Sequence, residues 1–126
     1  MSTLRVDTIQ DRVGTGQPDI DGVAKAWVNF NGTGTVAIRA SFNVSSITDN
    51  GTGNYTVNFT NAMTDANYSA TWGYTPDAMY FSGSAATRVV NIYTQSASNL
   101  VIYSGYQDAA VSGYLDFPLI NITVFR

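Results

Sequence analysis

Five aromatic side chains, Trp72, Tyr74, Tyr80, Tyr106 and Tyr114, stand in the second half of the chain near two carboxylates, Asp77 and Asp108, and several asparagines. Flat rings offer apolar platforms to the CH faces of sugar rings, while carboxylate and amide groups hydrogen-bond the hydroxyls. The chemistry open to such a set is recognition, and the candidate glycan-contacting residues are Tyr74, Asp77, Tyr80, Tyr106, Asp108 and Tyr114. Trp72 continues an alternation begun by Tyr68 and Ala70 and reads as core, a role the same alternation also leaves open to Tyr74.

Bond-breaking chemistry has far less to work with. The sequence contains no His, Cys or Glu, so a catalytic site would have to rest on Asp, Ser, Tyr, Lys or Arg. Lys25 is the single lysine, and neither a Gly-x-Ser-x-Gly elbow nor a Ser-x-x-Lys pattern occurs. A glycosidase needs two carboxyl groups roughly 5 to 9.5 Å apart, and nothing in the sequence selects such a pair. The segment Asp19-Ile20-Asp21-Gly22 lacks the twelve-residue loop with a terminal Glu that holds calcium, and reads as a turn. Gly32-Thr33-Gly34 and Gly51-Thr52-Gly53 lack the lysine of a phosphate-binding loop and are also turns. The expectation is a protein that is not an enzyme and uses no cofactor and no metal, with carbohydrate processing as the minor alternative.

The elements that must position the aromatic set follow from composition. A chain of 126 residues is one domain's worth, and it can bury a core without disulfides, for which it has no cysteine. Hydrophobic residues make up 44% and charged residues 12%, the latter about half the usual share. Thr, Asn, Ser and Gly replace the Glu and Lys that dress helices, which points to an all-β fold. The net charge of -3 and six singly scattered basic residues provide no footprint for nucleic acid. Met1 is followed by polar Ser2 and Thr3 with no sign of a secretory leader, and no apolar run approaches the ~20 residues of a spanning helix, so membrane insertion is not expected.

Residues 1–22 read as an arm and linker, and residues 23–126 as the head. In the arm Val6, Ile9 and Val13 make one heptad's worth of apolar seam, too little to hold a helix alone, and an extended reading of the same stretch is equally open. Either way these side chains are better buried between chains, and Gly14-Thr15-Gly16-Gln17-Pro18 ends the arm. The head is organised around Ala24 to Phe30, with Ala24, Ala26, Val28 and Phe30 on one face and Lys25, Trp27 and Asn29 on the other; Trp27 is a candidate subunit-interface residue. A second alternation, Val36, Ile38, Ala40, Phe42 and Val44, predicts a strand paired with Tyr55 to Phe59 through a loop around Asn50-Gly51. Further strands are predicted over Tyr68 to Tyr74, Arg88 to Tyr93, Asn99 to Tyr103 and Leu119 to Arg126, with long loops at Pro76 to Thr87 and Ser104 to Pro118. About seven short strands predict a single antiparallel β-sandwich or compact barrel-like head.

The stretches Ser2-Thr3-Leu4-Arg5-Val6-Asp7-Thr8-Ile9-Gln10-Asp11, Ala24-Lys25-Ala26-Trp27-Val28-Asn29-Phe30-Asn31-Gly32-Thr33 and Ser41-Phe42-Asn43-Val44-Ser45-Ser46-Ile47-Thr48-Asp49-Asn50-Gly51-Thr52-Gly53 form a composite. It resembles tail-fibre and related virion proteins of tailed bacteriophages, particularly those of marine and cyanobacterial phages. The likeness covers roughly the first sixty residues, and the remainder in style only. It implies a homotrimer with arms meeting on the three-fold axis, Val6, Ile9, Val13 and Trp27 at subunit boundaries, and loops displayed outward. It also implies attachment to other tail or baseplate proteins through the arm, host surface polysaccharide as a partner, and a place in the virion after assembly in the host cytoplasm. The expected function is a fibre or fibre-tip protein that attaches to a host surface glycan. The alternative is an assembly component, an adaptor or a capsid or tail decoration, with no receptor of its own.

Overall fold

The computed structural model describes residues 2–3, 22–76, 87–107 and 112–126, and every regular element among them is a β-strand. The strands are β1 (Ala24–Asn31), β2 (Ala37–Phe42), β3 (Val44–Asp49), β4 (Asn54–Phe59), β5 (Ser69–Thr75), β6 (Thr87–Gln95), β7 (Asn99–Gln107), β8 (Ser112–Tyr114) and β9 (Leu119–Phe125). They form two antiparallel sheets. One is four-stranded in the order β2-β1-β9-β5; the other is five-stranded in the order β3-β4-β7-β6, with β8 added to β7. The inner faces supply one core, so the architecture is the expected antiparallel sandwich. The arm residues Val6, Ile9 and Val13 lie outside the described residues.

Alternation decides which faces meet. In β1 the residues Ala26, Val28 and Phe30 are fully buried against Ile120, Ile122 and Val124 of β9, and Trp27 and Asn29 face outward. From the other sheet Tyr55 and Val57 of β4 and Leu100 and Ile102 of β7 close the core. Phe30 meets Tyr55 edge-on with ring centroids 5.3 Å apart, an aromatic pair that bridges the two sheets, and Tyr74 stacks at 5.0 Å on Phe117 of the connection between β8 and β9.

The single strand expected from Val36 to Val44 is two strands in different sheets. β2 carries an extra residue, Arg39, between the pairs Phe30–Ile38 and Asn29–Ala40. This bulge reverses the faces beyond it. Val36 and Ile38 pack on the core, but Ala40 lies opposite outward-facing Asn29, and Phe42 opposite Trp27. Asn43 then takes a left-handed conformation at φ 54, and its amide nitrogen donates to the carbonyls of Lys25 and Asn61, both at 3.0 Å, which carries the chain to the second sheet. The partner of β4 is therefore β3, through the predicted loop at Asn50-Gly51.

A second correction concerns Ser104 to Pro118, expected as a loop. β7 continues to Gln107, and β8 returns along it, with Gly105 opposite Tyr114 and Gln107 opposite Ser112. The pairing edge of β7 passes from β4 to β8 at Ser104. The Ser104 amide donates to the Gly53 carbonyl at 2.7 Å, and the Ser104 carbonyl accepts from the Leu115 amide at 3.0 Å. The buried Ser104 hydroxyl is satisfied by the Leu115 carbonyl at 2.7 Å.

Candidate functional site

The outer face of the five-stranded sheet carries an aromatic groove built on β6, β7 and β8. Because Leu100, Ile102 and Ser104 point inward, Tyr103 and Gly105 point outward. On β6, Tyr93 is the extra residue of a bulge between the pairs Ile92–Ile102 and Thr94–Val101. Its ring leans on that of Tyr103 with centroids 4.8 Å apart at 63°. On the opposite side Tyr103 meets Tyr114 of β8 at 5.1 Å and 34°. The outer two rings remain 68% and 62% exposed, so they present faces to solvent while Tyr103 forms the centre.

Glycine shapes the floor of this groove. Gly105 lies beneath the rings opposite Tyr114, and a Cβ on it would overlap the carbonyl oxygen of Gly113. Only a residue without a side chain lets β8 approach so closely and bring Tyr114 alongside Tyr103. Asn91, paired with Tyr103, and Gln107, paired with Ser112, place amide and hydroxyl groups around the aromatic centre. The groove has a volume of about 340 Å³, and among the described residues none of its lining side chains is charged.

Of the six candidate glycan-contacting residues, Tyr114 presents its ring to this groove, and Tyr106 borders it from a position whose side chain turns away. Tyr106 alternates to the other face of β7, where a Cβ on Gly113 would come within 2.7 Å of its hydroxyl and the Arg88 guanidinium carbon lies 5.7 Å from its ring centre. Tyr74 is elsewhere, its ring on Phe117 and its hydroxyl donating to the Arg88 carbonyl at 2.5 Å. Asp77, Tyr80 and Asp108 lie outside the described residues. Trp72, expected in the core, shares the inward register of Ala70 and Tyr74 but is 42% exposed, because β5 is the rim of its sheet.

Tyr93 and Tyr103 were not among the candidates. Tyr103 is legible from the alternation of Leu100 and Ile102 with Val101 and Tyr103, which assigns it to the outer face. Tyr93 is legible in the same way, from the alternation of Val90 and Ile92 with Asn91 and Tyr93; the bulge there changes the faces of Thr94 and Gln95 beyond it.

The described aspartates are each engaged in structural hydrogen bonds. Asp49 accepts from the Gly51 amide at 2.9 Å. Asp65 accepts from the Asn67 amide at 2.7 Å and pairs with Arg126 at 2.6 Å, and these hold its carboxyl below the usual range, the amide contributing most. Asp116 accepts from the Gly53 amide at 2.7 Å and the Tyr55 hydroxyl at 2.5 Å. Among the described residues no three His, Cys, Asp or Glu side chains gather as metal ligands would.

A second feature lies on the outer face of the four-stranded sheet. Trp27 and Phe42 are direct cross-strand partners there, 38% and 40% exposed. Two large apolar side chains standing together in water are the kind of surface that subunits cover. Comparison of the chain with family models, curated proteins and solved structures gives no match.

Proposed function

We propose that this chain is a non-enzymatic structural protein of a phage particle, a homotrimeric fibre or fibre-tip subunit that attaches to a host surface glycan through the outer face of its five-stranded sheet. The observation that carries this reading is the Tyr93–Tyr103–Tyr114 groove, in which rings, amides and a hydroxyl converge on a rigid β scaffold. The likeness of the first sixty residues to tail-fibre and related virion proteins supports the same reading. The described carboxylates, each engaged in holding a turn or a strand connection, favour recognition over hydrolysis. Three grooves on one trimer would raise a weak sugar contact to durable attachment through effective concentration.

The exposed Trp27–Phe42 pair favours a second reading, a virion assembly component whose sheet face is covered by a neighbouring protein. Retention of the purified chain on bacterial cells or on purified lipopolysaccharide separates the two. A receptor-binding protein is retained and released by excess polysaccharide, whereas an assembly component passes through. Release of reducing ends from polysaccharide during the same incubation would instead establish the carbohydrate-processing alternative.

A further inference from the structure

We infer that the groove on β6, β7 and β8 takes an uncharged saccharide of one or two rings and discriminates against sugars bearing a carboxylate. This inference rests on the glycan reading above and narrows it to a ligand class. The rings of Tyr93 and Tyr114 flank Tyr103 at 63° and 34°, so the three make a bent trough in place of a flat plate. A pyranose ring set over such a trough lays its CH face on the exposed rings of Tyr93 and Tyr114, with the edge of Tyr103 between them. That removes apolar surface from water on both partners. The hydroxyls around the sugar rim then point toward Asn91, Gln107 and Ser112, whose amide and hydroxyl groups both donate and accept. Vicinal hydroxyls, which also do both, are the matching chemistry.

Charge narrows the ligand further. A uronic or sialic acid would carry its carboxylate into a groove whose described lining holds no cation. Removing a carboxylate from water with no compensating partner is costly. Arg88 does not supply one at this face, because its guanidinium lies over the ring of Tyr106, on the other side of β7. Size also bears on the assignment: about 340 Å³ is near the lower end of the range for ligand sites, which is roughly 300 to 1,000 Å³. One or two sugar rings fill it, and a longer glycan would extend over the rim.

The test is NMR titration of the full chain with methyl β-glucoside and N-acetylglucosamine, and with glucuronic acid and N-acetylneuraminic acid. Tyr93→Ala and Tyr114→Ala are titrated alongside; both side chains are mostly exposed, so the fold should survive, and circular dichroism checks it. The expected result is that at least one neutral sugar shifts the ring resonances of Tyr103 and Tyr114. Each alanine variant should weaken that binding about tenfold, and the acidic sugars should bind at least about tenfold more weakly than the neutral ones. Acidic sugars that bind as well as neutral ones overturn the inference and leave the glycan reading standing. Saccharide binding unchanged in both alanine variants overturns the groove as its site and again leaves that reading standing. If no saccharide of either kind binds, and polysaccharide fails to retain the chain, both fall together.

Discussion

The Tyr55 hydroxyl donates to Asp116 at 2.5 Å and lies 3.0 Å from the Gly32 carbonyl, which joins the middle of one sheet to the segment linking β8 and β9. Asp116 also takes the Gly53 amide, and its neighbour Leu115 bonds Ser104 through both backbone groups. The connection that delivers Tyr114 to the groove is thus clamped from within the sandwich. Tyr55→Phe removes the hydroxyl and leaves the part-buried Asp116 carboxylate with one fewer donor. The expected loss is about 1 to 3 kcal/mol of unfolding free energy, measured by urea denaturation. Phe fills the same core space, so a loss well below this range would mean that the clamp is no better than the water it replaces.

Alkali should unfold the protein through two buried phenols. Burial, reinforced by the hydrogen bond to Asp116 and its charge, pushes the Tyr55 hydroxyl far above its ordinary value of 10.0. Burial alone pushes Tyr68, whose hydroxyl donates to the Asn99 carbonyl at 3.0 Å, up to about 12. In the unfolded chain both titrate near 10.0, so above that pH the folded state keeps protons that the unfolded state has lost. The contribution of these two phenols to the unfolding free energy is then fully present below pH 10 and is lost as pH rises above it. Tyrosinate absorbance followed with circular dichroism checks this: while the fold persists these two phenols should stay protonated well above pH 10, and Tyr68→Phe should flatten the fall between pH 10 and 12.

Two glycines with the same backbone twist should respond differently to a methyl group. Gly34 and Gly53 have φ of +63 and +64, but a Cβ on Gly34 meets nothing within 4 Å. On Gly53 it would overlap the Ser104 carbonyl and stand 2.9 Å from the Leu115 nitrogen. Gly34→Ala should cost only the left-handed strain, about 1 to 2 kcal/mol. Gly53→Ala adds a steric term of about 1 to 3 kcal/mol and displaces the residues that fix β8. Thermal unfolding of the two variants should separate them in that order.

The strands whose inward positions are all large and apolar are legible in the sequence. β4 and β9 alternate without interruption, and β1 does so from Ala26 onward, a bulge at Lys25 setting Ala24 opposite outward-facing Phe125 and off the face expected for it; the faces assigned to Val28, Val57 and Ile122 are the buried ones. What escaped has a common physical origin in single inserted residues. Arg39 and Tyr93 are bulges, which change the face of every residue beyond them without an unusual residue type. The end of β7 escaped for another reason: its inward position is Ser104, a polar residue satisfied by Leu115, so the hydrophobic period stops while the strand continues. Of the groove, Tyr114 is recognisable as an aromatic among small and polar neighbours. Its alignment with Tyr103 requires a backbone approach at Gly105 that no local pattern records.

Asp65 should titrate below its ordinary 3.8, and the order of its causes can be read by substitution. The Asn67 amide is the largest single contributor, with the Arg126 charge and hydrogen bond after it, so Arg126→Gln should return the midpoint only part of the way. Because the folded carboxyl is the stronger acid, its contribution to stability is present above pH 3.8 and is lost as pH falls through the folded value. Carbon-detected NMR of the Asp65 carboxyl resolves the two midpoints. Full return to 3.8 in Arg126→Gln would assign the shift to the ion pair.

The Trp27–Phe42 pair offers a test of subunit association that is independent of sugar binding. Both side chains face away from the core, and Phe42 does so because the Arg39 bulge turns it out beside Trp27. Arg39 is held there by its hydrogen bond to the Pro118 carbonyl at 2.6 Å, so the patch is a fixed part of the sheet. Replacing Phe42 or Trp27 by Thr, a good strand former, should change the stability of a single chain by no more than about 0.5 to 1 kcal/mol. If three chains meet at this face, the same substitutions should move the sedimentation coefficient from trimer to monomer at micromolar concentration. Wild-type chain that sediments as a monomer would count against the trimer itself. A trimer that survives both substitutions would place the subunit contact elsewhere, and the pair would then belong to a different neighbour.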